Sequence, residues 1–150
     1  MSAEVLFALA FPLALPFWLL MIVAPVWGRT HRIVSSPLIV VPSALVYALA
    51  VLPELGTVLP AVANPQIAGV AALLGTPVGA AAGWAHFIAF DLFVGRWCYL
   101  DARERSVHPL VMAPVLLLTI LLAPLGLLAY LAVRALVPAR AASASASASA

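Results

Sequence analysis

An all-α polytopic membrane protein, built as a four-helix transmembrane bundle with one short interfacial helix, is the fold class this chain predicts, on three observations. Of its 150 residues, 66% are hydrophobic and 8% charged, where a soluble domain carries about 25% charged residues. The apolar residues gather in four runs long enough to cross a hydrocarbon core of roughly 30 Å, which takes about 20 helical residues. Between the runs stand Pro, Gly and Arg clusters of the kind that start, stop and orient membrane helices.

The first helix is expected over 4–27. It is too long for a cleaved signal peptide and lacks a positive amino-terminal region. Trp18 and Trp27 are candidate interfacial anchors, Trp27 the better placed, and Pro12, Pro16 and Pro25 each remove a backbone donor and bend the rod. A short basic loop, Gly28 to Arg32, follows. Ser36-Pro37 supplies a start with Pro at the first helical position, and the second helix is expected over 36–52, ended by Pro53-Glu54-Leu55-Gly56. The stretch 53–76 reads as a connection holding a short helix over 65–74, with Asn64 as cap, Pro65 in the first turn and Gly75 as stop. Some ten residues cannot cross a bilayer, so this piece is either an interfacial or re-entrant lid or a plain surface helix. The third helix, 77–102, opens at Thr76-Pro77 with small residues from Gly79 to Gly83 that admit a neighbouring backbone. The fourth, 109–136, follows His108-Pro109 and should kink at Pro114 and at Pro124-Leu125-Gly126. Residues 1–137 thus make one transmembrane domain, and 138–150 an Ala/Ser low-complexity tail expected to be disordered.

Arginine sets the orientation. Arg29 and Arg32 follow the first helix and Arg103 and Arg105 the third, while Arg134 and Arg140 follow or end the fourth. Four crossings would put the first two pairs in the cytoplasm and both termini outside. The net charge of +2 therefore speaks of topology, and no basic patch with interleaved aromatics points to nucleic acid. Cys98 is the only cysteine, a small buried hydrophobe by expectation, and no intrachain disulfide can form.

Polar chemistry concentrates in 84–105. His86 and Asp91 lie inside an apolar run, where an ionisable group costs a few kcal/mol or more and needs a partner or a role. Spacings of five place His86, Asp91 and Arg96 about 140° apart around the helix, so each must find its partner on another helix. Depth along the axis puts Asp91 in one layer with Ser43 and Thr119, about 14 to 15 Å from the basic end, and His86 with Tyr47 about 20 Å in. The alternative for Asp91 and His86 is a helix-tying hydrogen bond, and for Arg96 a side chain that snorkels to the interface. Asp101, Arg103, Glu104 and Arg105 form a charged exit in which Asp101 and Arg105 have pairing spacing.

Several chemistries lack their residues. No helical pair of histidines and no cysteine cluster exists for a diiron or zinc site, and no glycine-rich nucleotide motif is present, so neither metal nor cofactor is expected.

The string H-F-x-x-F-D-L-F-V-G-R-W at 86–97, followed by Y-L-D-A-R-E-R at 99–105, resembles the signature of the abscisic-acid-deficient-four-like family. Ala123-Pro124-Leu125-Gly126-Leu127-Leu128 extends the likeness, with Ala123 where Gly is expected. The resemblance implies a small multi-pass membrane protein, of a kind found in plastids and bacteria, whose plant members are associated with neoxanthin synthesis. A bacterial inner membrane is the expected location. On that footing the expected function is isomerisation of a carotenoid or isoprenoid lipid by intramembrane acid–base chemistry. Asp91 would be proton donor and His86 acceptor, and Tyr47, Phe90, Phe93, Arg96 and Trp97 would line the substrate site. Two other readings stay open: a carotenoid- or lipid-binding protein without catalysis, and a small proton-coupled transporter. A membrane lipid or carotenoid is the expected partner, with a second copy of the chain or a partner membrane enzyme left open.

Overall fold

The computed structural model describes residues 1–137; the tail at 138–150, and the expectation of disorder there, lie outside the described residues. Seven α-helices follow one another: α1 (Ala3–Val23), α2 (Gly28–Ser35), α3 (Val41–Val51), α4 (Leu55–Ala63), α5 (Ile67–Leu74), α6 (Pro77–Glu104) and α7 (Pro109–Leu136). No strand occurs among the described residues. Four segments are long and apolar enough to cross a membrane: Ala3–Val23, Pro37–Ala63, Pro77–Glu104 and Pro109–Leu136.

Two local readings change. The second segment does not end at Leu52 but runs on to Ala63, because single 3₁₀ turns at Pro37–Val40 and Leu52–Glu54 join α3 to what flanks it. Pro53 falls in the first turn of the second 3₁₀ piece, where a missing N–H costs little. Asn64 consequently closes α4 instead of opening α5, whose cap position is Gln66. The basic stretch after α1 is itself helical, as α2, and Thr30 pins it by donating its hydroxyl to the Ala24 carbonyl at 2.8 Å from a fully buried position.

Helix α6 is the central post. Its small residues Ala81, Ala85, Ala89 and Gly95 are buried and let neighbours close in. Helix α1 runs parallel to it: Phe7 stacks on Trp84 at 5.4 Å, and the buried Trp18 fills the space over Gly95, where a Cβ would stand 2.2 Å from the indole. At the end of that pair the Pro25 carbonyl accepts hydrogen bonds from Tyr99 Oη, at 2.7 Å, and from Arg103. Helix α3 runs antiparallel to α6 and is tied to α1 by Ser43 Oγ donating to the Ala10 carbonyl at 3.3 Å.

Helix α7 is broken. Leu122, at φ −150° and ψ 68°, is not helical, and the expected kink is a reversal. A Cβ on Gly126 would stand 2.5 Å from Thr119 Cα, whereas a straight helix would separate these residues by about 10 Å along its axis. The returning arm runs down α6 in register. The Tyr130 ring meets Trp97 edge-on at 5.4 Å, Arg134 pairs with Asp101 at 3.0 Å, and Arg105 Nη1 donates to the Val137 carbonyl at 3.2 Å. Both ends of α7 therefore lie beside the same end of α6.

Candidate functional site

At the other end of α6 the second segment, α5 and the first turns of α6 flank a half-open cavity of about 440 Å³, on whose rim Glu54 and His86 are exposed. Its floor is made by absence of side chain: Gly79, Ala82 and Gly83 face it from α6. Thr76 fixes the corner, accepting from the Gly79 N–H at 3.0 Å and donating its own hydroxyl to the Leu73 carbonyl at 2.8 Å. Gly79 has no alternative there, since a Cβ would lie 1.9 Å from the Leu73 oxygen. The polar groups in this otherwise apolar wall are His86 from α6, Tyr47 from α3, Glu54 from the 3₁₀ turn, and the hydroxyls of Thr57 and Thr76. The imidazole is held between rings, with Tyr47 at 5.6 Å and Phe90 stacked at 4.6 Å.

The structure brings His86 and Tyr47 together in this cavity, and it does not bring Asp91 to them. Asp91 projects from another side of α6, is partly buried, and makes no ion pair among the described residues. Ser43 and Thr119, expected in its layer, spend their hydroxyls on the carbonyls of Ala10 and Val115. Phe90 touches His86 from outside the cavity, while Phe93 and Trp97 continue down an exposed aromatic row. Arg96 donates from Nε to the Val34 carbonyl at 2.7 Å and from Nη2 to that of Ser35. It caps the last carbonyls of α2, which suits a cation at a helix carboxyl end.

Glu54, Thr57, Thr76 and Phe87 are the cavity residues that sequence reasoning passed over. Pro53-Glu54 looks like a terminator when the residues are read one by one; the signal that could have found Glu54 is the apolar run 55–63 beyond it, long enough to continue the helix. Among the described residues no three His, Cys, Asp or Glu side chains converge as metal ligands.

A second polar cluster sits at the arginine-rich end. Asp101 Oδ2 accepts from Arg105 Nε at 2.8 Å, Arg134 Nε at 3.0 Å and the Tyr130 hydroxyl. The Asp101–Arg105 pair answers to its spacing; Tyr130 and Arg134 arrive through the reversal of α7.

Membrane-length apolar helices around a small cavity that holds one imidazole, one phenol and one carboxyl define the class: an all-helical, multi-pass membrane protein. A family model described as ABA DEFICIENT 4-like matches residues 5–130, and the chain belongs to this ABA4-like family. It is 26% identical over 141 residues to the Arabidopsis thaliana protein named "Protein ABA DEFICIENT 4, chloroplastic", a match covering 90% of this chain and 63% of that relative. The chain thus spans less than two thirds of the relative's length. That printed name places the relative in the chloroplast, and it does not bear out the bacterial inner membrane expected from the sequence. No solved structure matches.

Proposed function

We propose that the α3–α6 cavity binds the end group of a carotenoid or related isoprenoid lipid and isomerises it by proton transfer, with His86 and Glu54 as the two proton-carrying groups. The observation that carries this reading is their convergence on one apolar cavity from different helices. The volume falls in the range of small-molecule sites, enough for a terminal ring and the first part of a polyene. Tyr47 and Phe87 add aromatic wall, and the family's association with neoxanthin formation supplies the substrate class. Converting an epoxide end group to an allenic alcohol is redox-neutral: one proton goes onto the epoxide oxygen as its C–O bond opens, and one leaves a carbon of the chain as the new double bond forms. A carboxyl and an imidazole that line one cavity, one acting as acid and the other as base, can give the first and take the second. The acid assigned to Asp91 from sequence passes in this proposal to Glu54, since Asp91 does not line the cavity.

Purified protein in detergent or vesicles, offered a panel of epoxycarotenoids, tests this. Conversion is expected for wild type, falling at least about 100-fold in Glu54→Gln and in His86→Gln. Protein that retains pigment and converts none would replace the enzyme by a binding protein. Conversion that survives both substitutions would move the chemistry elsewhere.

A further inference from the structure

We infer that α7 enters and leaves the membrane on one face, as a re-entrant helical hairpin, so that the chain crosses three times and the Glu54–His86 cavity lies in the leaflet away from the arginines. This rests on the path of the backbone and the placement of charge, and is independent of what the cavity binds.

The reversal at Leu122 divides α7 into two arms of roughly 13 residues, each rising about 20 Å, two thirds of a hydrocarbon core of roughly 30 Å. Neither arm crosses alone. The arms lie side by side, because Gly126 sits on Thr119, and the second is held to the basic end of α6 by Tyr130 and Arg134 on Asp101 and by Val137 on Arg105. Irregular backbone at membrane depth is tolerated where few polar groups are left over, and here only Leu122 leaves the helical conformation, while Leu121, Leu122 and Leu125 turn apolar side chains outward. Pro124, in the first turn of the returning arm, has no N–H to leave unpaired, and Gly126 is buried against the other arm.

Charge agrees with this path. Arg29 and Arg32 on α2 lie at one end of the bundle with Arg103 and Arg105 of α6, and the hairpin returns Arg134 to them. Arg96, on the same half of α6, reaches toward α2. The opposite end carries Glu4 and Glu54 and, among the described residues, no arginine. Four straight crossings would instead have placed Arg134 with Glu4. An arginine bias this complete assigns the basic end to the cytoplasm. The termini then lie on opposite faces, unlike the both-outside arrangement that four crossings imply, and the cavity opens in the far leaflet.

Single cysteines replacing Ser2, Asn64, Ser106 or Leu136 in a Cys98→Ala background, labelled with an impermeant maleimide in intact and then permeabilised cells, test the path. Ser2 and Asn64 positions are expected to react in intact cells, and Ser106 and Leu136 positions only after permeabilisation. Leu136 reacting together with Ser2 would overturn the hairpin. A spin-label pair at Leu110 and Leu136 gives a second reading on purified protein. A straight helix separates them by about 39 Å, the hairpin by less than half of that, and a distance near the full length would overturn the inference. Neither measurement involves turnover, so each can fail or succeed apart from the proposed chemistry.

Discussion

Helix α6 carries His86 in its first half and Asp101 in its last turn, and the surroundings treat the two in opposite ways. At Asp101 the protein itself supplies the partners: two arginines and a tyrosine converge on the Oδ2 carboxylate oxygen. At His86 and Glu54 the side chains face a cavity, and the contacts of the imidazole are with rings. A charge fully partnered from within ties helices together; polar groups left facing an apolar hollow are available to something that enters it. The contrast is between polarity spent inside the protein, at Asp101, and polarity left facing a hollow, at His86 of α6 and Glu54 of the second segment.

The contrast breaks most directly at Asp101. Asp101→Ala strands two guanidinium groups and a phenol, and should cost about 3 kcal/mol, read as a lower unfolding midpoint in detergent together with loss of the folded, membrane-inserted protein. Asp101→Asn keeps an acceptor and should cost less; equal losses for the two would mean that charge is irrelevant there. Gly79→Ala comes next, at about 2 kcal/mol, because its Cβ would overlap the Leu73 carbonyl and force α5 off α6. Pigment retention should fall more than stability does, and a variant that still holds pigment would detach the α5–α6 corner from the cavity. Tyr130→Phe should cost about 1 kcal/mol, leaving Asp101 with its two arginines. Glu54→Gln should change stability by less than about 0.5 kcal/mol while lowering conversion; a large drop in its thermal midpoint would assign Glu54 to the same stabilising class as Asp101 and erase the distinction.

How much of this could be read from residues alone differs by element for physical reasons. Helix α6 and the start of α7 were legible because Thr76-Pro77 and His108-Pro109 are strong local starts, and Tyr47 meeting His86 follows from rise per residue along two antiparallel rods. The Asp101–Arg105 pair was legible from spacing. The continuation of the second segment past Pro53 was not, because proline stops a helix in its interior and starts one at its first turn, and only the 3₁₀ joint decides between the two. Nor was the reversal of α7: Pro124-Leu125-Gly126 specifies weakness in the rod, but the direction taken there is set by Tyr130 and Arg134 reaching Asp101 on another helix. Glu54 was hidden by the first of these and Arg134's placement by the second. For Asp91, buried in part and outside the cavity, the structure offers no partner that explains it.

The parallel packing of α1 on α6 has a consequence for how the protein is made. The Pro25 carbonyl waits for a tyrosine 74 residues further along the chain, and Trp18 waits slightly longer for the glycine that seats it, Gly95. At about 5–20 residues per second this is roughly 4–15 s of synthesis, during which α1 is already emerging with its indole and small-residue face uncovered. The first helix must therefore be sheltered in the membrane by the insertion machinery or by lipid until the central post arrives, and slow translation through 37–95 should expose it to proteolysis or to mispairing with α3.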